Sequence, residues 1–225
     1  MIEAIIFDFD STLTDYHYSD TKAIFDVVSL LPKSIDRNLF LQRSGEIISQ
    51  IYDEMMFIGS EVHELRLNRT ITEFGLEWND KYLEKYLSTY LNTVVVYDDV
   101  KCVLELLKGK VKIGILTNST DSVEQRIRIE NSESKPYFDE ICIAAEIGYY
   151  KPDKNAFLYT CNKLQCNPNN TVFIGDSEQY DIIGAKNAGM YTIKKDNKTK
   201  RNSIADYRFS SYLDLLGILQ YYGIR

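Results

Sequence analysis

Histidine and clustered cysteine are scarce in this sequence, and long apolar runs are missing from it. Its 225 residues include two histidines and four cysteines, and no CxxC pair occurs. A zinc site is disfavoured, since it would need closely spaced Cys and His ligands. No apolar run approaches the length of a membrane span, and acidic residues lie near the N-terminus, where a secretory signal would be basic. We therefore expect a cytoplasmic protein with reduced cysteines and no membrane partner.

An excess of positive charge is also absent. The 33 Asp and Glu residues outnumber the 26 Lys and Arg residues, and the net charge is −7. Binding to a nucleic-acid polymer or to an anionic membrane needs a basic face, so neither is an expected partner. An anionic small molecule would have to be captured by a local site. A hydrophobic content of 44% is ample for the core of one large domain, or of one domain with an insertion.

An apolar run near the N-terminus ends in polar groups at alternate positions. The run extends from Ala4 to Phe7, and Asp8, Asp10 and Thr12 follow it. It is typical of a strand buried on both faces of a parallel sheet, which would place Asp8 at the edge where open α/β sheets bind ligands. Alternate side chains of an extended segment point the same way, so the polar groups can converge on one crevice, where two carboxylates need a cation or a shared proton. The pattern also fits an acidic surface turn.

Helical periodicity dominates the chain from residue 16 to residue 96. Apolar residues recur there three and four positions apart in four stripes, with a row of tyrosines beside the last stripe. Interhelical packing is the expected role of the tyrosines. The basic residues His63, Arg66 and Arg69 are expected to be solvated, with contact to a substrate as the alternative. The stripes are Ile24, Val27, Val28 and Leu31; Ile47, Ile48, Ile51 and Met55; Leu67, Ile71 and Phe74; and Leu83, Leu87 and Leu91; the tyrosines are Tyr82, Tyr86 and Tyr90.

Apolar runs alternate with helical stripes in the rest of the chain. Alternation at this spacing predicts an α/β protein with a mostly parallel sheet covered by helices on both faces. Residues 1–15 and 97–225 would form this core, and residues 16–96 would be a helical insertion in it. The predicted strands after the insertion are 111–116, 141–145, 171–174, 190–193 and 207–209, and the predicted helices include 100–107, 157–164 and 212–219.

Three further positions carry polar groups suited to phosphate and metal chemistry. Thr117 and Asn118 follow a predicted strand and offer a hydroxyl and backbone donors to phosphate oxygens, although turns commonly use the same residue types. Lys151 precedes a proline, which disfavours helix and lets the loop aim the ammonium, although most lysines are solvated. Asp176 ends a predicted strand, and Asp181 lies at the start of a helix with small residues that permit close packing on the sheet.

In their order along the chain, these groups resemble the four motifs of the haloacid dehalogenase superfamily. The resemblance spans nearly the whole chain, and the helical insertion looks like the cap of the group that includes phosphoglycolate phosphatase, β-phosphoglucomutase and the nucleotidases. The chain departs from the family at Ser11, where many relatives have glycine, and at Tyr180, where a small or polar residue is frequent. The motifs are Asp8-x-Asp10-x-Thr12, Thr117-Asn118, Lys151-Pro152 and Gly175-Asp176-x-x-x-x-Asp181.

The resemblance implies a Rossmann-like sheet and a catalytic role for the carboxylates. Asp8 would be the nucleophile, and Asp10 the general acid and base. Mg²⁺ would be held by Asp8, by Asp176 and by the main-chain carbonyl of Asp10. Oxygen ligands without nearby His or Cys agree with this choice of metal. Attack of a carboxylate on phosphorus forms an acyl phosphate and divides hydrolysis into two displacements.

The remaining motif residues would bind the phosphoryl group or support those that do. The resemblance assigns phosphate binding to Thr117, Asn118 and Lys151. Asp181 would orient Lys151 or metal-bound water, and Thr12 would have a supporting role.

The predicted function is therefore that of a Mg²⁺-dependent phosphatase that hydrolyses a small phosphomonoester metabolite through an aspartyl-phosphate intermediate. A phosphomutase with the same pocket is one alternative. A dehalogenase resembles this fold but typically lacks the second acid, so Asp10 argues against it. A non-catalytic protein that binds a phosphorylated ligand, or a signalling protein on the same scaffold, is the alternative from another class. Residues of the cap would set the choice of substrate.

Overall fold

Parallel strands form one sheet in the part of the chain that the structure describes. This computed structural model describes residues 1–54, 62–196 and 202–223. The strands are β1 (Ala4–Phe7), β2 (Lys112–Thr117), β3 (Glu140–Ile143), β4 (Thr171–Gly175), β5 (Tyr191–Lys195) and β6 (Tyr207–Phe209). They lie in the order β3-β2-β1-β4-β5-β6, and every neighbouring pair is parallel.

Helices lie in the connections between these strands and after the last strand. They are α1 (Tyr16–Val28), α2 (Arg37–Glu54), α3 (Val62–Glu73), α4 (Lys81–Asn92), α5 (Val100–Leu107), α6 (Ser122–Glu130), α7 (Ala144–Ile147), α8 (Lys154–Leu164), α9 (Ile183–Asn187) and α10 (Tyr212–Tyr221). A π-helical turn, Glu178–Ile182, leads into α9. Within the described ranges, no helix is both long and apolar enough to cross a membrane.

The N-terminal strand β1 lies in the middle of the sheet, between β2 and β4. Its four side chains are fully buried and alternate between two apolar cores: Ile5 and Phe7 join one, and Ala4 and Ile6 join the other. Residues of α5 and α10 belong to the first core, and residues of α8 and α9 belong to the second. The predicted parallel sheet with helices on both faces is confirmed, and so is the burial of its first strand on both sides.

The strand predicted at residues 141–145 is displaced toward its N-terminal side. β3 starts at Glu140 and ends at Ile143, and the next four residues form the single turn α7. Gly148 ends this turn with a φ of 76°, a conformation that glycine adopts without steric cost. A short apolar run fits a strand or a buried helical turn equally well, so periodicity could not locate this boundary.

Helices α1, α2, α3 and α4 bury an apolar core of their own, as the helical stripes predicted. Tyr86 and Tyr90 of α4 are buried, and their rings stack with centroids 5.4 Å apart. The expected packing role of these two tyrosines is therefore confirmed. Met55, assigned to the second stripe, lies outside the described residues. The buried members of this core are Ala23, Ile24, Val27, Val28, Leu31, Phe40, Leu67, Ile71, Tyr86 and Tyr90.

Two basic side chains of α3 are buried, so the prediction that they are solvated is wrong. Arg66 is 1% exposed, and its guanidinium donates hydrogen bonds of 3.0 and 2.7 Å to the carboxylate of Asp20. The Tyr86 hydroxyl donates to the same carboxylate at 2.6 Å. His63 is also buried, with ring centroids 4.8 Å from Tyr86 and 4.9 Å from Tyr90. Periodicity could not reveal this, because Asp20 lies 46 residues from Arg66 in the sequence.

The buried His63 makes the stability of the protein depend on pH. Burial lowers the pKa of His63 from 6.5 to about 3, and the positive charge of Arg66 acts in the same direction. The unfolded chain takes up a proton at the ordinary pKa, so this histidine contributes its full stability above pH 6.5 and loses it as the pH falls toward 3. Between about pH 7.5 and pH 5 we expect a loss of about 2 kcal/mol in the free energy of unfolding from His63 alone.

Urea unfolding of the wild type, His63→Phe and His17→Phe at both pH values measures this contribution. The His63→Phe protein should lose about 2 kcal/mol less than the wild type on acidification. His17 is exposed, so its variant should lose as much as the wild type. Equal losses in the wild type and in His63→Phe would contradict the prediction.

Candidate active site

The carboxyl ends of β1, β2 and β4 border a cavity of 530 Å³. Because parallel strands end at the same edge of a sheet, Asp8 after β1, Thr117 at the end of β2 and Asp176 after β4 meet there. Side chains of α1, α3 and α4 lie on the other side of the cavity. The lining residues are Asp8, Asp10, Ser11, Tyr16, Val62, His63, Tyr90, Thr117, Asn118, Ser119, Thr120, Gln125, Tyr150, Lys151, Asp176, Ser177, Tyr180 and Asp181.

A buried lysine joins two carboxylates at the base of the cavity. The ammonium of Lys151 donates to Oδ1 of Asp8 and to Oδ1 of Asp181, each at 2.7 Å. Asn118 holds the main chain of Lys151 on both sides: its Oδ1 accepts from the Lys151 amide, and its Nδ2 donates to the Lys151 carbonyl, each at 2.8 Å. The loop before α8 therefore aims Lys151 into the site, as the sequence suggested, and Asn118 fixes that loop.

Negative charge exceeds positive charge in this buried cluster. Burial raises the pKa of Asp8 to about 7, Lys151 acts against this shift and Asp181 adds to it. Burial likewise raises the pKa of Asp181. Burial opposes the charge of Lys151, but Asp181 and Asp8 outweigh it and raise the pKa of the ammonium. A further cation or a proton would relieve the repulsion between the carboxylates.

Three carboxylates lie close enough together to share a cation. Oxygen atoms of Asp8, Asp176 and Asp181 lie within 4.8 Å of one another. The second oxygen of Asp181 accepts from the backbone amide of Ser177 at 2.9 Å, which fixes this side chain. A Cβ atom at Gly175 would lie 2.4 Å from Cγ of Asp181, so the motif needs a glycine there. The set contains only hard oxygen ligands, which suits Mg²⁺ and does not suit zinc.

Asp10 is held by two side chains that the sequence analysis missed. Arg128 Nη1 donates to Oδ1 of Asp10 at 2.5 Å, and Gln125 Nε2 donates to Oδ2 at 2.8 Å. Gln125 Nε2 also lies 3.0 Å from Oγ1 of Thr117. Gln125 and Arg128 are three positions apart on α6 and therefore share one face of the helix, the only sign of their role in the sequence. Neither belongs to a motif, and Asp10 lies more than a hundred residues away from both.

The other motif positions show how the loop after β1 is built. Ser11 has a φ of 62°, in the left-handed region that favours glycine, which accounts for the glycine of many relatives at this position. Thr12 is buried, and its hydroxyl lies 3.5 Å from Oδ1 of Asp176. The hydroxyl of Tyr212 donates to the carbonyl of Thr12, which ties this loop to α10. Tyr180 lines the cavity and is half exposed.

Two phosphatases resemble this chain over most of its length. The N-acylneuraminate-9-phosphatase of Homo sapiens is 29% identical over 241 residues, covering 97% of this chain and 94% of that protein. The glyceraldehyde 3-phosphate phosphatase of Methanopyrus kandleri is 26% identical over 203 residues, covering 86% of this chain and 84% of that protein.

Solved structures share the fold. The HAD-hydrolase YfnB from Bacillus subtilis, bound to magnesium, has a TM-score of 0.80 at 23% identity and covers 97% of this chain and 98% of its own. An L-2-haloacid dehalogenase from Xanthobacter autotrophicus has a TM-score of 0.76 at 18% identity, with coverages of 98% and 99%. The Rossmann-like sheet that the resemblance implied is thereby confirmed.

The family itself follows from the sequence match. The family model described as "haloacid dehalogenase-like hydrolase" matches residues 2–189, which include all four motifs and the strands β1 to β4. With the motif residues gathered around one cavity at the ends of those strands, this chain belongs to the haloacid dehalogenase-like hydrolases.

Proposed function

We propose that this protein is a Mg²⁺-dependent phosphatase that hydrolyses a small phosphomonoester through a phosphoryl intermediate on Asp8. The observation that carries the proposal is the contact between a carboxylate at the end of the central strand and a buried lysine, 2.7 Å apart. This pair brings a nucleophile and a phosphate-binding cation together at the base of a cavity. The names of the relatives, which are phosphatases of small phosphorylated molecules, support the same reaction.

The carboxylate cluster supports the choice of metal. Asp8, Asp176 and the main-chain carbonyl of Asp10 would hold Mg²⁺, and Asp181 lies in the same cluster. Both oxygens of Asp181 already accept hydrogen bonds, from Lys151 and from Ser177, so its proposed role is to orient Lys151. When bound, Mg²⁺ would offset the excess negative charge and polarise the phosphoryl group.

In the first half-reaction, Asp8 attacks phosphorus and the alcohol leaves. Lys151 would stabilise the equatorial oxygens of the phosphoryl group by its charge. The hydroxyl of Thr117 accepts a hydrogen bond from Gln125, so its own proton is free to be donated to a phosphoryl oxygen. Asn118 would complete this cradle while it holds the main chain of Lys151. Asp10 would protonate the leaving oxygen.

In the second half-reaction, water attacks the phosphoryl group on Asp8, and Asp10 would now accept the proton of that water.

A cavity of 530 Å³ is within the range of small-molecule sites, which supports a phosphorylated metabolite rather than a polymer as the substrate. All four cysteines are free thiols, which supports a cytoplasmic location.

We also propose that residues 16–96 form a cap that moves over the site. Helices α1, α2, α3 and α4 share a core of their own, and the two connections to the sheet run side by side. The Asp15 amide donates to the Val95 carbonyl at 2.8 Å, and the Tyr97 amide donates to the Leu13 carbonyl at 3.0 Å. Opening about these connections would admit substrate, and closure would control water.

The first test of the mechanism removes the nucleophile. Asp8→Asn should lower kcat for phosphomonoesters by roughly 10⁴-fold or more, because the attacking oxygen and a metal ligand are lost together. Asp98→Asn, in the exposed turn before α5, is the matched control and should keep wild-type turnover. Mg²⁺ should raise the unfolding temperature of the wild type but not that of Asp176→Asn. Full phosphatase activity in Asp8→Asn would exclude the mechanism.

The second test separates the two roles of Asp10. A nitrophenolate leaves without an acid, so Asp10→Asn should form the phosphoryl intermediate from a nitrophenyl ester more readily than from an alkyl phosphate. Breakdown of the phosphoryl intermediate still needs a general base, which raises a rate by roughly 10²–10⁴-fold. The intermediate should therefore accumulate in the variant. Rapid quench should show a nitrophenolate burst of about one equivalent per enzyme. Wild-type rates on both esters would exclude an acid–base role for Asp10.

The third test immobilises the proposed cap. Nδ2 of Asn131, just after α6, donates to Oδ1 of Asn92 at the end of α4 at 3.3 Å, and both residues are exposed. Asn92→Cys/Asn131→Cys, with the exposed Cys102 replaced by serine, should lose turnover by roughly tenfold or more when joined by a short bismaleimide. Each single cysteine variant treated with the same reagent is the control. Unchanged turnover in the cross-linked protein would show that this motion is not needed.

A further inference from the structure

Both oxygens of the Asp10 carboxylate are held by side chains of a single helix. Arg128 binds Oδ1 at 2.5 Å and Gln125 binds Oδ2 at 2.8 Å, while Thr14 Oγ1 approaches Oδ1 at 3.5 Å. The Asp10 side chain is 24% exposed, whereas the Arg128 side chain is fully buried. The partly exposed carboxylate is therefore fixed by two buried side chains.

The guanidinium of Arg128 is itself held in place by aromatic rings. It lies 4.4 Å from the ring centroid of Tyr90, 5.7 Å from that of Phe9 and 5.8 Å from that of Tyr16. Its Nε and Nη2 atoms are buried and make no hydrogen bond with any residue that the structure describes. Cation–π contacts of this kind are attractive, but only Asp10 offers Arg128 a full negative charge at hydrogen-bond distance in the described residues. The position of Arg128 therefore depends on Asp10, and that of Asp10 on Arg128.

Gln125 connects this arrangement to the phosphate side of the cavity. Its Nε2 lies 2.8 Å from Oδ2 of Asp10 and 3.0 Å from Oγ1 of Thr117, and its Oε1 lies 3.4 Å from Nη1 of Arg128. The amide thus fixes the separation between Asp10 and Thr117. A proton is transferred efficiently only when donor and acceptor are well aligned, and a displacement of about 1 Å can lower a rate 10²-fold.

We propose that Arg128 and Gln125 are positioning residues that hold the Asp10 carboxylate at the place where it exchanges protons with the leaving group and with water. The proposal rests on the proposed function, because it assigns the geometry of a residue taken to be the acid and base. It adds two residues that lie outside all four motifs. It also explains why Arg128 is buried in α6, the helix between β2 and β3.

The test uses Arg128→Met and Gln125→Leu, which remove the donors and keep much of the side-chain volume. Each should lower kcat on an alkyl phosphate by about 10- to 100-fold, because Asp10 is misplaced. Arg128→Met should change KM by less than about threefold, because it leaves the contact between Gln125 and Thr117 in place. On a nitrophenyl ester, the same substitutions should slow the formation of the phosphoryl intermediate less than they do on an alkyl phosphate. Arg126→Met is the matched control, since Arg126 lies on the same helix and pairs with Glu146 at the surface.

A double-mutant cycle separates positioning from a general structural effect. In the Asp10→Asn background, Arg128→Met should lower nitrophenyl phosphate turnover by less than about twofold, because the group that it positions is no longer functional. Equal losses in both backgrounds, or wild-type kcat in Gln125→Leu, would overturn the inference and leave the phosphatase function intact. A wild-type protein that hydrolyses no phosphomonoester would instead overturn the proposed function and the inference with it. Thermal unfolding checks that each variant is folded.

Discussion

The burial of Lys151 between two carboxylates is the interaction on which the rest of the site depends. A charge in a protein interior is tolerated when it is paired and hydrogen-bonded, and removing one member of such a group leaves the others uncompensated. Lys151, Asp8 and Asp181 form such a group. Neighbouring residues hold this group in place, since Asn118 fixes the main chain of Lys151 and Gly175 leaves room for Asp181.

The order of the strands explains why this group can form. β1 lies between β2 and β4, so the residues that follow these three strands become neighbours although they are far apart in the sequence. Both faces of β1 are covered by apolar side chains, which leaves the carboxyl end as the place where polar groups of this strand can meet solvent or a ligand. The same connection order brings α6 behind Asp10, because this helix begins soon after β2 ends.

Much of this arrangement was readable from the sequence, and the part that was not has a common physical cause. The strand ends, the spacing of the motifs and the helical stripes are local features, and each is encoded in neighbouring residues. Arg66 and Arg128 are buried because a carboxylate distant in the sequence neutralises each of them. Such pairs leave no periodic pattern, and an arginine in a helix is usually solvated. The contact between Gln125 and Asp10 could not be predicted for the same reason.

The paired connections between the helices and the sheet have a mechanical consequence. Thr14 and Val96 form an antiparallel bridge, and the hydrogen bonds on either side of it join the two chain segments into a short ribbon. A two-stranded ribbon bends easily across its flat face but resists shear and in-plane rotation, because these would break its hydrogen bonds. Any displacement of the helices relative to the sheet would therefore follow one arc, and Tyr90 would return to the same distance from Arg128 each time that arc is reversed.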